Sequence, residues 1–302
     1  MKAIHPIYPL INPMPKASPD APIGIFDSGI GGLSIAIEIA RYLPNERIVY
    51  FADTANVPYG PRSNQNIREL TAHAIEWLYR QGCKIAVVAC NTASAFSLDY
   101  LREHYGENFP IVGLVPALKP AVLQTKTKTV AVLATPATFR GQLIQDVVTR
   151  FAIPSEVKVL SMTCLDFVPF VEAGTQMSPA CLQKIKEVLQ PAVEQHVDYL
   201  VLGCTHYPFL KSAIKMVFGD QFTLIDSGVA IARQTSRILI KNELLQEQPA
   251  QFEEARIQCY LSGNNEESLH AVLQRMIPDD ISWHAINLQD QNFIHPTYSL
   301  VP

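Results

Sequence analysis

Short apolar runs closed by small or hydroxyl-bearing residues recur along the chain, separated by longer segments with apolar residues at three- and four-residue spacing. The first pattern predicts buried parallel strands and the second amphipathic helices. A strand beginning near Ile23 turns at Gly29, Gly31 and Gly32 into a helix over Leu33–Tyr42, stopped by Pro44. IVYFAD, ending at Asp53, is the second strand. After a loop over residues 57–63, Ile67, Leu70, Ala74 and Leu78 mark one side of a long helix ending at Gly82, a residue suited to a helix C-terminus. A strand over 84–89, a helix past Ser94 and a strand over 110–114 complete a first series, and 115–124 reads as a crossover.

A second series starts with a strand at Val130. It continues through a helix over about 139–151, a strand near 156–160, a helical stretch holding Asp166 and Glu172, and a helix over about 178–196. A strand before Cys204 and a helix over 209–218 follow. The stretch TLIDSG at 223–228 and a helix over 229–244 are expected back against the first series, extended by the strand Ile257–Leu261 and the helix Glu266–Met276. Such alternation belongs to parallel α/β sheets.

The two series echo one another. KIAVVACNTAS, ending at Ser94, and DYLVLGCTHYP, ending at Pro208, each close a strand with a cysteine and a threonine-containing turn. IGIFDSGIGG and VAVLATPATF form a second matched pair. Ile23 precedes Cys90 by 67 positions, and Val130 precedes Cys204 by 74. The repeated order indicates an internal duplication, with two half-sites facing each other across a cleft. Each cysteine falls at the carboxyl end of its strand, where ligands bind in open α/β sheets.

Composition narrows the function classes. With 302 residues, 48% hydrophobic and 17% charged, the chain can fold as two domains of ordinary size. Lys and Arg total 24 against 28 Asp and Glu, a net charge of -4, so no basic face for nucleic acid is expected. The six cysteines form no CxxC pair and no disulfide framework is expected. No apolar run reaches membrane-span length. The first 21 residues hold five prolines, two lysines and no apolar core, unlike a secretory signal, so a cytoplasmic protein is expected.

Cys90 and Cys204 are the sharpest candidates for chemistry. A free thiol has a pKa of about 8.5, lowered near a helix N-terminus, and both cysteines sit between a strand end and a helix. Two thiols in symmetric places suggest an acid and a base acting on opposite faces of one carbon. Buried core thiols are the plainer alternative, and that reading is taken for Cys83, Cys164, Cys181 and Cys259. Cys204 and His206 are close enough in sequence for a metal, but Cys90 brings no further ligand beside it. His206 reads better as a proton-transfer aid or substrate contact.

Gly29 and Gly31 after a strand, with Asp53 farther on, open a dinucleotide pattern, but Ser34 breaks it and Asp27 would face the pyrophosphate. Asp27 and Ser28 instead suit the ammonium and carboxylate of an amino acid. Asn91, Thr92, Thr135, Thr138 and Thr205 add polar contacts, or cap the helices that follow them.

FDSGIGGLS, VPYG, VVACNTAS, LVPALKP, VLAT and VLGCTHYP, in this order, resemble the glutamate racemases of the aspartate/glutamate racemase superfamily, over about 22–240. The resemblance implies an α/β fold of two pseudo-symmetric parallel-sheet domains with the active site in the cleft between them. The expected division is a proline-rich arm over 1–21, a first domain over 22–115 plus 223–290, a second over 116–222, and a tail over 291–302. It further implies racemisation of glutamate without cofactor or metal, for peptidoglycan synthesis. Cys90 and Cys204 would be the acid–base pair, with Asp27 and His206 assisting and Glu172, in VEAG, near Cys204. Asp27, Ser28, Tyr59, Gly60, Asn91, Thr92, Thr205 and His206 would contact substrate, with Thr135 and Thr138 beside them. A homodimer and a cell-wall precursor as effector are the expected partners. Racemisation of aspartate or another amino acid is the nearest alternative; a non-catalytic ligand-binding regulator is the rival from another class.

Overall fold

The computed structural model describes residues 17–248, 255–263 and 266–288. Most of the proline-rich arm and the whole tail over 291–302 lie outside the described residues. Ten strands are present among them: β1 (Ile23–Asp27), β2 (Ile48–Ala52), β3 (Ile85–Val88), β4 (Ile111–Gly113), β5 (Thr129–Leu133), β6 (Lys158–Met162), β7 (Tyr199–Leu202), β8 (Thr223–Ile225), β9 (Ile257–Leu261) and β10 (Trp283–Asn287). They form two sheets, in the orders β10-β9-β2-β1-β3-β4 and β6-β5-β7-β8. Every pairing is parallel.

The duplication is visible in this topology. The order β2-β1-β3-β4 of the first sheet recurs as β6-β5-β7-β8 in the second. In each, strand order reverses between the first strand of the half and its third, and the crevice at that reversal is the usual ligand site. Cys90 follows β3 beside the end of β1, and Cys204 follows β7 beside the end of β5. The central strands are apolar without alternation because helices cover both faces: all residues of IVYFA and IAVV are buried.

Eleven helices pack on the sheets among the described residues: α1 (Leu33–Tyr42), α2 (Asn64–Arg80), α3 (Asn91–Tyr105), α4 (Leu118–Gln124), α5 (Pro136–Arg140), α6 (Gln142–Val147), α7 (Phe167–Glu172), α8 (Pro179–Glu194), α9 (Lys211–Phe218), α10 (Gly228–Lys241) and α11 (Glu266–Met276). Their starts follow local chemistry. Ser63, Thr135 and Ser178 accept backbone N–H groups at the starts of α2, α5 and α8, and Pro136 and Pro179 occupy first-turn positions.

Two expectations need correction, the helix over 139–151 and the placement of the strand at 223–225, and two elements were not anticipated, α4 and β10. The segment 115–124 contains α4, because Pro120 falls in its first turn, where a missing N–H costs nothing. The single helix over 139–151 is divided at Gly141 into α5 and α6, continued by a wide turn at Val148–Ala152. The strand Thr223–Ile225, expected with the first domain, pairs with β7 in the second sheet, so the chain returns only after Ile225. The helix that follows does lie where expected, on α1. β10, not anticipated, extends the first sheet beyond β9.

At the end of the first sheet remote from the cysteines, Lys84 and Glu46 form a buried ion pair with Nζ 2.6 Å from Oε2. Lys84 also donates to the Pro19 carbonyl at 2.6 Å, fastening the described end of the arm to the sheet. Burial lowers the lysine pKa, and the Glu46 carboxylate opposes that shift.

Candidate active site

The two cysteine loops meet in one cleft. Cys90 is the N-cap of α3 and its Sγ accepts the Ala93 N–H at 3.4 Å. Its thiol donates to Ser28 Oγ at 3.6 Å. The lowered pKa expected from the helix N-terminus is not what the structure gives. Burial, reinforced by the Asp27 charge, drives the Cys90 thiol well up, and the bonds from Ala93 and Ser28 only moderate the rise. Cys90 therefore rests as a protonated thiol.

Cys204 has a different neighbour. Its Sγ lies 3.7 Å from His206 Nδ1, and His206 Nε2 lies 2.5 Å from Glu172 Oε1. Burial opposes a charged imidazole here, yet the bonds to Cys204 and Glu172 outweigh it and hold the His206 pKa well above its ordinary value. Glu172 thus reaches Cys204 through the histidine. Its Oε1 also accepts the Ile30 N–H at 2.9 Å, tying the second half to the glycine-rich loop of the first.

Asp27 is fully buried behind that loop. Its Oδ2 accepts the N–H groups of Gly32 at 2.8 Å and Gly29 at 3.3 Å, while Oδ1 accepts the Thr205 hydroxyl at 3.3 Å. Burial raises its pKa to about 6, although the His206 charge and the two N–H bonds pull downward. The glycines serve close packing between the halves. A Cβ at Gly31 would stand 2.4 Å from His206 Nδ1, and one at Gly29 2.1 Å from Glu172 Oε1.

Ten of the expected residues line the cleft: Ser28, Tyr59, Gly60, Cys90, Asn91, Thr92, Thr135, Cys204, Thr205 and His206. Asp27 and Glu172 stand behind its wall, and Thr138 supports the wall from outside. The hydroxyls of Thr92, Thr135 and Thr138 form a chain with spacings of 2.8 Å and 3.0 Å, and Thr135 also caps α5. Thr135 is thus a helix cap that also lines the cleft. Asn91 Oδ1 is buried without a hydrogen-bond partner among the described residues, leaving an acceptor at the cleft for a ligand N–H.

Sequence reasoning missed three wall residues, Val57, Pro58 and Val168. The first two sit in the VPYG motif, which was itself a signal; Val168, apolar and one helical turn before Glu172, looks like any core position. Asp53, weighed as a ribose ligand, instead accepts the Tyr59 hydroxyl at 2.6 Å and the Ser262 hydroxyl at 2.8 Å, bracing the VPYG loop. No group of three or more His, Cys, Asp or Glu suited to a metal ion occurs among the described residues. Nor is any helix among them long and apolar enough to cross a membrane.

Residues 30–235 match the family described as Asp/Glu/Hydantoin racemase. The glutamate racemase of Deinococcus radiodurans is 49% identical over 267 residues, spanning 88% of this chain and 89% of that protein. Among solved structures, Escherichia coli glutamate racemase in complex with L-glutamate and the activator UDP-MurNAc-ala superposes with a TM-score of 0.76 at 33% identity, covering 88% of this chain and 97% of that one. A glutamate racemase isoform from Bacillus anthracis gives 0.74 at 31% identity, covering 89% and 98%. Fold and comparisons together define an isomerase of the racemase class. The chain belongs to the Asp/Glu/Hydantoin racemase family.

Proposed function

We propose that this enzyme interconverts L- and D-glutamate, with Cys90 and Cys204 as its two acid–base groups and no cofactor. The observation that carries the reading is that one thiol from each half lines the same cleft. A substrate Cα held between them presents its hydrogen to one sulfur and its opposite face to the other. In one direction Cys204, its own proton passed to His206, removes the α-proton, and the Cys90 thiol protonates the far face. Cys90 ends as thiolate and Cys204 as thiol; the reverse reaction exchanges the roles. Asp27, whose charge bears on the Cys90 thiol, is its counterpart to His206.

The acidity of the α-hydrogen is the hard part without an electron sink. Neutral donors surround the cleft, including Ser28, Asn91, Thr92 and Thr205, and among its lining side chains only His206 can carry positive charge. Such groups, preorganised away from water, stabilise charge that develops on the substrate carboxylate as the carbanion forms. Glutamate is favoured as substrate because the similar proteins named above are glutamate racemases. D-Glutamate made in the cytoplasm would supply peptidoglycan synthesis, and a precursor like the activator of the E. coli protein is the effector to try.

The test is polarimetry of the purified enzyme with L-glutamate or L-aspartate, with and without UDP-MurNAc-ala and with no cofactor added. Rotation decaying to zero for glutamate alone is expected. Decay with aspartate alone would move the substrate, and no decay under any condition would overturn the reading.

A further inference from the structure

The Asp-Ser-Gly of Asp27 to Gly29 has a second copy at Asp226 to Gly228, outside the cleft. Both make the same local turn. The Gly29 N–H donates to Asp27 Oδ2 at 3.3 Å, and the Gly228 N–H donates to Asp226 Oδ1 at 2.8 Å. Their surroundings differ. The first copy faces the thiols, whereas the second lies where the chain passes between the two sheets.

Among the described residues the chain makes that passage twice, once between β4 and α4 and once between β8 and α10. Val115 lies in the first passage and Ser227 in the second. The Ser227 hydroxyl donates to the Val115 carbonyl at 2.8 Å, and Ser227 is buried. This side-chain bond joins the two passages to each other directly.

From that bond, short connections lead to each cysteine. Beside Val115, the Leu114 N–H donates to Ser94 Oγ at 2.9 Å, and Ser94 in turn donates to the Val88 carbonyl at 3.0 Å. Val88 ends β3 and Ser94 lies in the first turn of α3, so Cys90 is held between them. On the other side, Asp226 Oδ2 pairs with Lys211 Nζ at 2.5 Å. Lys211 opens α9, directly after the short turn of helix at Tyr207–Leu210 that follows Cys204 and His206.

We infer that Ser227, bonded to Val115, pins the two interdomain passages together and so sets the placement of Cys90 against Cys204 during turnover. Ser227 is a positioning residue: it touches neither thiol. A relative movement of the halves must pivot where the two passages lie side by side, and the shared bond restricts that pivot. Because two thiols must address opposite faces of one carbon, a displacement of about 1 Å is enough to lower turnover severely. The inference rests on the two-thiol reading of the cleft.

The test compares wild type, Ser227→Ala and Ser227→Thr by amide hydrogen exchange and by steady-state racemisation of glutamate. Exchange needs no substrate and judges the pin by itself; wild-type racemisation judges the reading on which it rests. Ser227→Ala is expected to speed exchange in both passages and in both cysteine loops, and to lower kcat at least fivefold. The change in KM should be smaller, because the wall groups remain. Ser227→Thr, which keeps the hydroxyl, should stay within twofold of wild type. If Ser227→Ala fails to fold, Ser227→Cys, which keeps a side chain of similar shape but donates only weakly, is read in the same way. Faster exchange confined to α10, or an unchanged kcat, overturns the inference.

Discussion

Glu172 and His206 are joined by a 2.5 Å contact through a carboxylate oxygen that also receives the Ile30 N–H. One atom therefore orients the histidine beside Cys204 and clasps the loop that carries Asp27 and Ser28. Bonding of the imidazole and contact between the halves are parts of one arrangement.

Glu172→Gln keeps an oxygen for Ile30 and removes the charge that supports His206. The folded protein holds the His206 proton more tightly than the unfolded chain does, since its pKa is raised. That contribution is whole below the ordinary histidine value of about 6.5 and is lost as pH rises through the raised one. The variant should be less stable than wild type by about 1–3 kcal/mol near pH 6, with the gap closing toward alkaline pH. Its kcat should fall about tenfold or more, as for loss of a proton-transfer group. Thermal melts at a series of pH values from the ordinary histidine value of about 6.5 upward, as far as the wild type stays folded, supply the check. A gap independent of pH would count against the assignment.

Asp27→Asn should separate stability from activity. The carboxyl is raised to about 6, so ionisation above that pH is opposed by the fold and the free protein loses stability as pH climbs from about 4 through 6. An amide can accept the Gly29 and Gly32 N–H groups without ionising. The variant should therefore gain on the order of 2–3 kcal/mol over wild type above pH 6, and nothing at pH 4. Its racemase activity should drop at least tenfold, by loss of the group assigned to assist Cys90. Melts at the two pH values, with activity at the higher one, decide the matter; a destabilised variant at both would oppose it.

Gly31→Ala tests the purpose of the glycine-rich loop. The added methyl would overlap the His206 ring, and such overpacking costs about 1–3 kcal/mol. A lower melting temperature and a loss of activity larger than the loss of folded protein are expected. Wild-type activity in this variant would mean that the loop does not press on His206.

The parts of this arrangement that were readable from the sequence were local. Apolar runs such as IVYFA and IAVV ended where β2 and β3 end or close to it, and the cysteines fell at strand ends as their turn chemistry indicated. Burial could not be read in the same way. A helix N-terminus suggests a lowered thiol pKa, but enclosure of Cys90 reverses the direction. β8 escaped correct placement because three residues, TLI, carry no information about which sheet supplies their partner. The Glu172 contact with Ile30 joins residues 142 positions apart, a pairing that only the folded chain discloses. β10, with WHAIN, lacks both a continuous apolar run and a clean alternation.

The most direct measurement follows L-glutamate in D2O by NMR and polarimetry together, for wild type, Cys90→Ala and Cys204→Ala. In wild type the α-hydrogen and the optical rotation should disappear together. Each variant should remain folded under the assay conditions while rotation decays at least about a thousandfold more slowly, as expected when one member of a cooperating catalytic set is removed. Wild-type rotation decay in either variant would contradict the assignment of one thiol to each face of the substrate.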